Sequence, residues 1–240
     1  LQLVTIYSNL DRFGVSGAYL EGLKWIEMLE ANHSLSQKEE WQVNEMKALL
    51  LNERGNQDEF LPIWYKLLKQ YREADRPEDV GKCLLTIANH FIMLEDYENA
   101  LPLYKEAYQL ALEHKSIELQ QVSGIMLIKY LCGAGYYSES LEYYNKIKPE
   151  IAFNPSMQDE VVKSYMELNK PDSARIYLAT RLLSERGDKI VLNCMMAETY
   201  IPEGQEDSAF VFLDRAMKSY KEKAKNYQKQ GREAILPNCF

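Results

Sequence analysis

The stretch from Val80 to Leu112 carries two helical patterns of apolar residues separated by a short polar turn, Glu95-Asp96. The first pattern consists of Leu84, Ile87, Ala88 and Phe91. The second consists of Ala100, Leu103, Tyr104 and Ala107. Residues three and four apart share one face of a helix, so the stretch predicts a helical hairpin. Each helix has apolar residues on more than one face, and one hairpin alone cannot bury them.

Similar hairpins recur along the chain, and a small residue near the start of each second helix marks them. Counting from Ala100, the counterparts are Ser140, Ala174 and Ala209, and the bulky Phe60 takes this place in an earlier unit. The intervals after Ala100 are 40, 34 and 35 residues. One hairpin would also fit an ordinary antiparallel bundle. Several copies favour a stacked array, in which neighbouring units bury each other's apolar faces.

The unit resembles a tetratricopeptide repeat, a helix–turn–helix of about 34 residues. The best-matching copy carries Ala197, Tyr200, Gly204, Ala209, Leu213 and Ala216. The resemblance implies an all-α fold, a right-handed superhelical solenoid of antiparallel helix hairpins. We expect one continuous array over residues 1–240, with first helices that include Leu1 to Asn9 and Trp41 to Glu53. The expected units lie near residues 1–32, 41–74, 81–114, 121–154, 155–188 and 190–223, with a capping or stalk helix at 207–232.

The resemblance also implies where a partner would bind. In tetratricopeptide arrays the first helices of successive units line a concave groove that holds peptides or partner helices. Helical spacing selects the side chains opposite the packing residues as candidates for partner binding: Gln42, Glu45, Asn52, Lys82, Asn89, Lys129, Lys163 and Glu198. Lys129, Lys163 and Asn89 are suited to a carboxylate or a peptide backbone. They depart from the fuller Lys/Asn/Arg set of the family's dicarboxylate clamp.

Composition narrows the class of partner. The net charge of −8 and pI near 5.1 argue against nucleic acid as a partner of this segment. No apolar run is long enough to predict a membrane-spanning segment. The sequence starts at Leu1 without a methionine, so a leader could have been removed. Localisation therefore stays open between the cytoplasm and a bacterial periplasm.

Residues suited to catalysis or metal binding are scattered. The three histidines are His33, His90 and His114, and the four cysteines are Cys83, Cys132, Cys194 and Cys239. None has the close spacing of a zinc site. Three cysteines lie in apolar helical stretches, which favours buried free thiols over a disulfide or a nucleophile. Phosphate-binding and nucleophile motifs are missing, so we expect no enzyme and no cofactor.

The C-terminal stretch differs from the repeats. No Gly or Pro interrupts it from Asp207 to Lys229, and its apolar residues follow heptad spacing: Phe210, Leu213, Met217, Tyr220, Ala224 and Tyr227. The segment from Arg215 to Arg232 carries a net charge of +6. One interpretation is a solvated cap for the array. The other is a stalk that self-associates weakly with a second copy, or whose positive charge faces anionic lipid.

These observations predict a scaffold that binds a peptide or partner helix in its groove. An alternative comes from Asp172-Ser173-Ala174 and Asp207-Ser208-Ala209, each opening a second helix. These motifs resemble repeats of bacterial sensor regulators, which implies a sensing domain of a larger transcriptional or signalling regulator. An enzyme is the least favoured interpretation.

Overall fold

The structure is a computed structural model that describes residues 17–32, 34–52, 57–151, 157–183 and 188–229. At some helix ends, including Asn52, only the backbone is described. The chain forms two compact units, Leu1–Gln120 and Gln121–Phe240. The single array expected over residues 1–240 stays a prediction. The helix expected over Leu1 to Asn9 lies outside the described residues.

Every regular element in the described part of the chain is helical. Three helices precede the stretch on which the repeat was recognised: α1 (Ala18–Asn32), α2 (Gln37–Asn52) and α3 (Gln57–Glu73). The next four are α4 (Pro77–Met93), α5 (Tyr97–Glu113), α6 (Ile117–Gly133) and α7 (Tyr137–Ile151). The last four are α8 (Gln158–Glu167), α9 (Pro171–Leu182), α10 (Lys189–Glu198) and α11 (Glu206–Lys229). A short 3₁₀ turn, Ile201–Glu203, precedes α11.

The helices pair as hairpins in chain order, α2 with α3, α4 with α5, α6 with α7, α8 with α9, and α10 with α11. The predicted all-α fold of repeated helical hairpins is confirmed. Ser36 and Glu39 form a capping box at the start of α2. The Ser36 backbone N–H donates to the Glu39 carboxylate at 2.9 Å, and the Ser36 hydroxyl at 2.6 Å, which fixes the start of α2.

The turns between helices share one backbone form. In the turn from α4 to α5, Glu95 has φ +57°, and the Asp96 N–H donates to the Phe91 carbonyl at 2.9 Å. This six-residue hydrogen bond and a left-handed residue define the Schellman motif that ends many helices. The same left-handed conformation occurs at Asp75, Lys115, Gly135 and Asn169. Most of these residues are not glycine, so their turns lack the strongest sequence signal for this conformation.

The hairpin interfaces depend on the small residues that marked the repeats. Ala100 and Ala174 are fully buried, as is Ser140. The Ser140 hydroxyl donates to the Ile128 carbonyl of the paired helix at 2.8 Å, so its burial leaves no unsatisfied hydroxyl. Phe60 fills this position in the earlier hairpin, where its ring lies 4.7 Å from the His90 ring.

Among the described residues, this pairing gives each unit an apolar core. The first is centred on Trp41, Phe60, Leu67, Leu84 and Ile87. The second is centred on Val162, Leu178, Leu192, Met195 and Met196. Successive first helices also approach closely within the first unit. A Cβ added to Gly81 of α4 would lie 2.3 Å from Cδ2 of Leu119 in α6, so the hydrogen side chain of Gly81 makes room for that leucine.

The fully buried Tyr104 tests the proposed packing of α5 on α4. Its ring lies in the hairpin interface, and its hydroxyl donates to the Asn89 side chain. Tyr104→Ala is expected to lower the free energy of unfolding by about 3–5 kcal/mol, because it removes a buried aromatic ring and leaves a cavity. Urea denaturation measures this loss. Tyr65→Ala, at a tyrosine that is 45% exposed, is the matched control and should change stability little. Equal losses in the two variants would contradict the packing described.

Candidate binding face of the first helices

The candidate residues of the first unit lie on α2 and α4. Gln42, Lys82 and Asn89 are exposed, and Glu45 is half-buried. Lys82 Nζ lies 3.9 Å from the Asp79 carboxylate one helical turn earlier. The side chain of Asn52 lies outside the described residues. The exposed members leave polar groups available to a partner on two successive first helices.

Two of these candidates also hold their own hairpins together. The Tyr71 hydroxyl of α3 donates to the Glu45 carboxylate at 2.6 Å. Burial of Tyr71, together with this hydrogen bond, raises the pKa of its phenol well above the ordinary value. The Asn89 side chain likewise accepts a hydrogen bond from the hydroxyl of Tyr104, which lies on the paired helix α5. Glu45 and Asn89 therefore contribute to the pairing of first and second helices, beside any contact with a partner.

In the second unit the first helices α8 and α10 form a groove of about 400 Å³, called here the α8/α10 groove. Its lining residues are Asp159, Val162, Lys163, Met166, Val191, Cys194, Met195, Glu198 and Thr199. On α8 the residues Asp159, Lys163 and Met166 follow helical spacing and share one face. On α10 the residues Val191, Cys194 and Glu198 do the same. Two candidates from the sequence, Lys163 and Glu198, are thus brought into one concave site.

Both signs of charge meet in and beside this groove. Partial burial raises the pKa of the Glu198 carboxyl, and the neighbouring Asp159 carboxylate raises it further. Burial also raises the pKa of Glu160, while the Lys129 and Lys163 ammonium groups oppose that rise. Lys129 therefore acts electrostatically on the same side of the second unit as Lys163.

The charged groups of the groove are not neutralised within it. Among the described residues, no ion pair within 4.0 Å involves Lys129, Asp159, Lys163 or Glu198. The apolar part of the lining is mostly buried, with Val162 and Met195 each 7% exposed. A buried apolar wall with unpaired charges at its edge can bind both the apolar and the polar parts of a peptide side chain.

Sequence reasoning found the charged part of this groove and missed part of its apolar wall. Helical spacing alone selected Lys163 and Glu198 as candidates. Val191 and Met195 were not assigned to the face, because they lie in a nearly continuous apolar run of α10 in which periodicity does not separate two faces.

A second concavity, of about 380 Å³, lies in the first unit beside the turns before α4 and α6. Arg76 and Asp79 line it on one side, and His114 and Lys115 on the other. The Arg76 guanidinium also pairs with Asp79 at 2.7 Å and stacks over the Trp41 ring at 5.2 Å. Its charge is therefore already engaged with neighbouring residues of the chain.

The cysteines divide into two kinds. Cys83 and Cys132 are free and buried, as predicted. Burial is the main cause that raises the pKa of the Cys83 thiol to about 12, so the thiol stays protonated near neutral pH. Cys194 is disulfide-bonded, which corrects the prediction of a free thiol at this position. The partner cysteine lies outside the described residues, and the wide separation of the four cysteines in sequence gave no sign of a bond.

His90 is packed against Phe60, and burial lowers its imidazole pKa. Within the described residues, no group of three or more His, Cys, Asp or Glu is placed to hold a metal ion. No helix there is long and apolar enough to cross a membrane.

Repeated hairpins joined by short turns, with charged residues on the first helices, define a tetratricopeptide-like helical repeat fold. No family model matches the chain, and no curated protein matches its sequence. Solved structures do share the fold. Aspartyl phosphate phosphatase F from Bacillus subtilis matches with a TM-score of 0.55 at 13% identity, over 99% of this chain. The chain spans 61% of the length of that phosphatase.

A second similar structure is BtubC (BKLC) from P. vanneervenii, with a TM-score of 0.54 and 16% identity. The match covers 99% of this chain and 93% of BtubC. At these identities the similarity shows the fold alone, and the helical hairpins are the feature that the proteins share.

The carboxylate pair of the α8/α10 groove gives a direct test of its geometry. Asp159→Asn removes a like charge, so the pKa of Glu198 should fall towards its ordinary value. Titration of the carboxyl carbon by NMR measures this change. Asp207→Asn, which alters an exposed carboxylate on another helix, is the control and should leave Glu198 unaffected. An unchanged pKa in Asp159→Asn would show that the two carboxylates do not share the groove.

Proposed function

We propose that this protein is an interaction scaffold that binds a peptide or partner helix on the face of its first helices. The observation that carries the proposal is the α8/α10 groove. Its walls come from two successive first helices, it combines apolar lining with charged residues, and those charges have no ion pair among the described residues. A groove between helices suits a peptide that places side chains at regular intervals.

Lys129 and Lys163 are proposed to bind acidic groups or the C-terminal carboxylate of the partner. Both are exposed and lie on consecutive first helices of the second unit. Glu198 and Asp159 then favour a basic residue elsewhere in the same peptide. In the first unit, Gln42, Lys82 and Asn89 are proposed as a polar contact surface of that unit.

The proposed activity is binding without catalysis. The free thiols of Cys83 and Cys132 are both buried, and burial raises the pKa of each. A protonated, inaccessible thiol is a poor nucleophile. This supports a role for these cysteines in packing.

A sensing domain of a larger bacterial regulator is a second candidate, favoured by the two Asp-Ser-Ala motifs. The structure gives these motifs a local role as well. Asp172 pairs with Arg175 one turn later at 3.0 Å, and Ala174 is buried between helices. If this protein is a sensing domain, binding of the partner should change the activity of a domain joined to it. Binding to a scaffold would leave that activity unchanged.

A charge-reversal experiment tests the binding face. Peptides with acidic or free C-terminal ends would be selected from a random library on the wild-type chain. Lys129→Glu with Lys163→Glu should weaken their binding about tenfold, because each exposed pair contributes about 0.2–1 kcal/mol and reversal makes it repulsive. Fluorescence anisotropy measures the affinity, and the melting temperature should hardly change.

Lys170→Glu serves as the matched control, since Lys170 is exposed in the turn before α9 and off the proposed face. It should leave affinity unchanged. Equal weakening by Lys170→Glu would indicate a general charge effect. Crosslinks from a bound peptide only to second helices would place the binding site elsewhere and contradict the proposal.

A further inference from the structure

One position of the second helix differs among the last four hairpins. It directly follows the small residue of the repeat and is occupied by Leu101, Leu141, Arg175 and Phe210. Leu101 and Leu141 are buried, at 5% and 7% exposure. Phe210, by contrast, is 66% exposed.

Arg175 shows what this position does within the second unit. Its guanidinium donates to the Thr199 carbonyl at 2.7 Å and to the Thr199 hydroxyl at 3.2 Å. It also lies 4.0 Å from the centre of the Tyr200 ring. Thr199 and Tyr200 belong to the following hairpin, so Arg175 at this position contacts the next hairpin.

The corresponding residue of α11, Phe210, is mostly exposed. The six apolar residues predicted to form one seam lie on two faces. Tyr220 packs against Ile190, Cys194 and Ala216 of its own hairpin, whereas Phe210 and Met217 are 66% and 48% exposed. Five exposed residues and one half-buried residue recur at spacings of three and four and form what we call the α11 stripe: the exposed Asp207, Phe210, Asp214, Met217 and Lys221, and the half-buried Ala224.

The charge along α11 changes sign near its middle. From Glu206 to Met217 the helix carries three acidic residues and one basic residue. From Lys218 to Lys229 it carries five basic residues and one acidic residue. A second helix with the same charge order would be repelled if parallel and attracted if antiparallel.

We propose that the α11 stripe binds the same stripe of a second copy of this chain in antiparallel orientation, with Met217 at the twofold axis. In this register Phe210 lies opposite the small Ala224 of the second copy, and Asp214 lies opposite its Lys221. Phe210 then faces a small residue, and Asp214, which also pairs with Lys218 of its own helix at 2.7 Å, faces a basic residue. Each contact occurs twice, as in any twofold-symmetric interface.

Size and charge single out a second copy as the occupant. The two-part charge pattern of the stripe is its own complement, and a uniformly acidic or basic partner helix would match only one half of it. One helix from each copy buries a limited area, so the association is weak and depends on protein concentration.

Sedimentation equilibrium at rising concentration tests the proposal on the full chain. The wild type should associate to a dimer. Asp214→Lys and Lys221→Asp should each abolish this association, because each places like charges opposite one another. An equimolar mixture of the two variants should form a heterodimer, since both contacts become attractive again. Circular dichroism should show that both variants keep their helices.

A hydrophobic substitution and a distance complete the test. Phe210→Ser should weaken dimerisation about tenfold, equivalent to about 1.4 kcal/mol. Leu183→Ser, at an apolar residue that is 88% exposed on another element, should have no effect. Spin labels at Asn226 of the two copies should lie about 27 Å apart along the antiparallel helices.

Several outcomes would overturn the proposal. If the chain stays monomeric at every concentration, a second copy does not bind the stripe. Its binding partner would then be residues 230–240 or another protein. Association that survives both single charge reversals would place the interface elsewhere. Labels at Asn226 that lie side by side would show a parallel pair.

Discussion

Close contact between the two helices of each hairpin depends on one small residue in the second helix. Ala100, Ser140 and Ala174 are fully buried at this position, and Ala209 nearly so. Where the small residue has a hydroxyl, the partner helix must be near enough to accept its hydrogen bond, as the Ile128 carbonyl does from Ser140. The position of the first helices, and therefore the α8/α10 groove between two of them, follows from this contact.

In the hairpin of α2 and α3, the large ring of Phe60 takes the place of the small residue between the two helices. A ring cannot give the close approach that an alanine allows, so the neighbouring residues adapt to it. Phe60 is fully buried against the His90 ring, and Trp64 packs edge-on against it. His90, one of the three scattered histidines, thus has a specific packing partner. Its neutral form is favoured by burial, which suits an aromatic contact of this kind.

Much of the fold could be predicted because helical periodicity and the small residues are local signals. The hairpin of Ile87 and Tyr104 follows from spacing alone, and so does the charged edge of the groove at Lys163 and Glu198. The left-handed turn residues could not be predicted in this way. Glu95 and Lys115 have no intrinsic preference for φ > 0, and the hydrogen bonds of the packed helices impose it.

The disulfide at Cys194 and the division of α11 into two faces have a different origin. Both depend on which residues meet in three dimensions, and sequence spacing does not contain that information. Phe210 and Tyr220 fit one heptad seam equally well, yet only Tyr220 packs within its own hairpin. The seam could be predicted as apolar, but its two sides could be assigned only from the packing of α11 on α10.

The left-handed turn residues Asp75, Glu95, Lys115 and Gly135 follow one another every 20 residues, and the helices between them are each 17 residues long. Turns within a hairpin and turns between hairpins therefore have the same length and backbone form. The backbone alone does not distinguish a first helix from a second helix, and the side chains carry that distinction. Gain or loss of 20 residues would keep every turn intact, but each later first helix would take the place of a second helix and the reverse. Gain or loss of 40 residues would preserve the turns and also the roles of the helices. This arrangement lets the repeat grow or shrink only in whole hairpins.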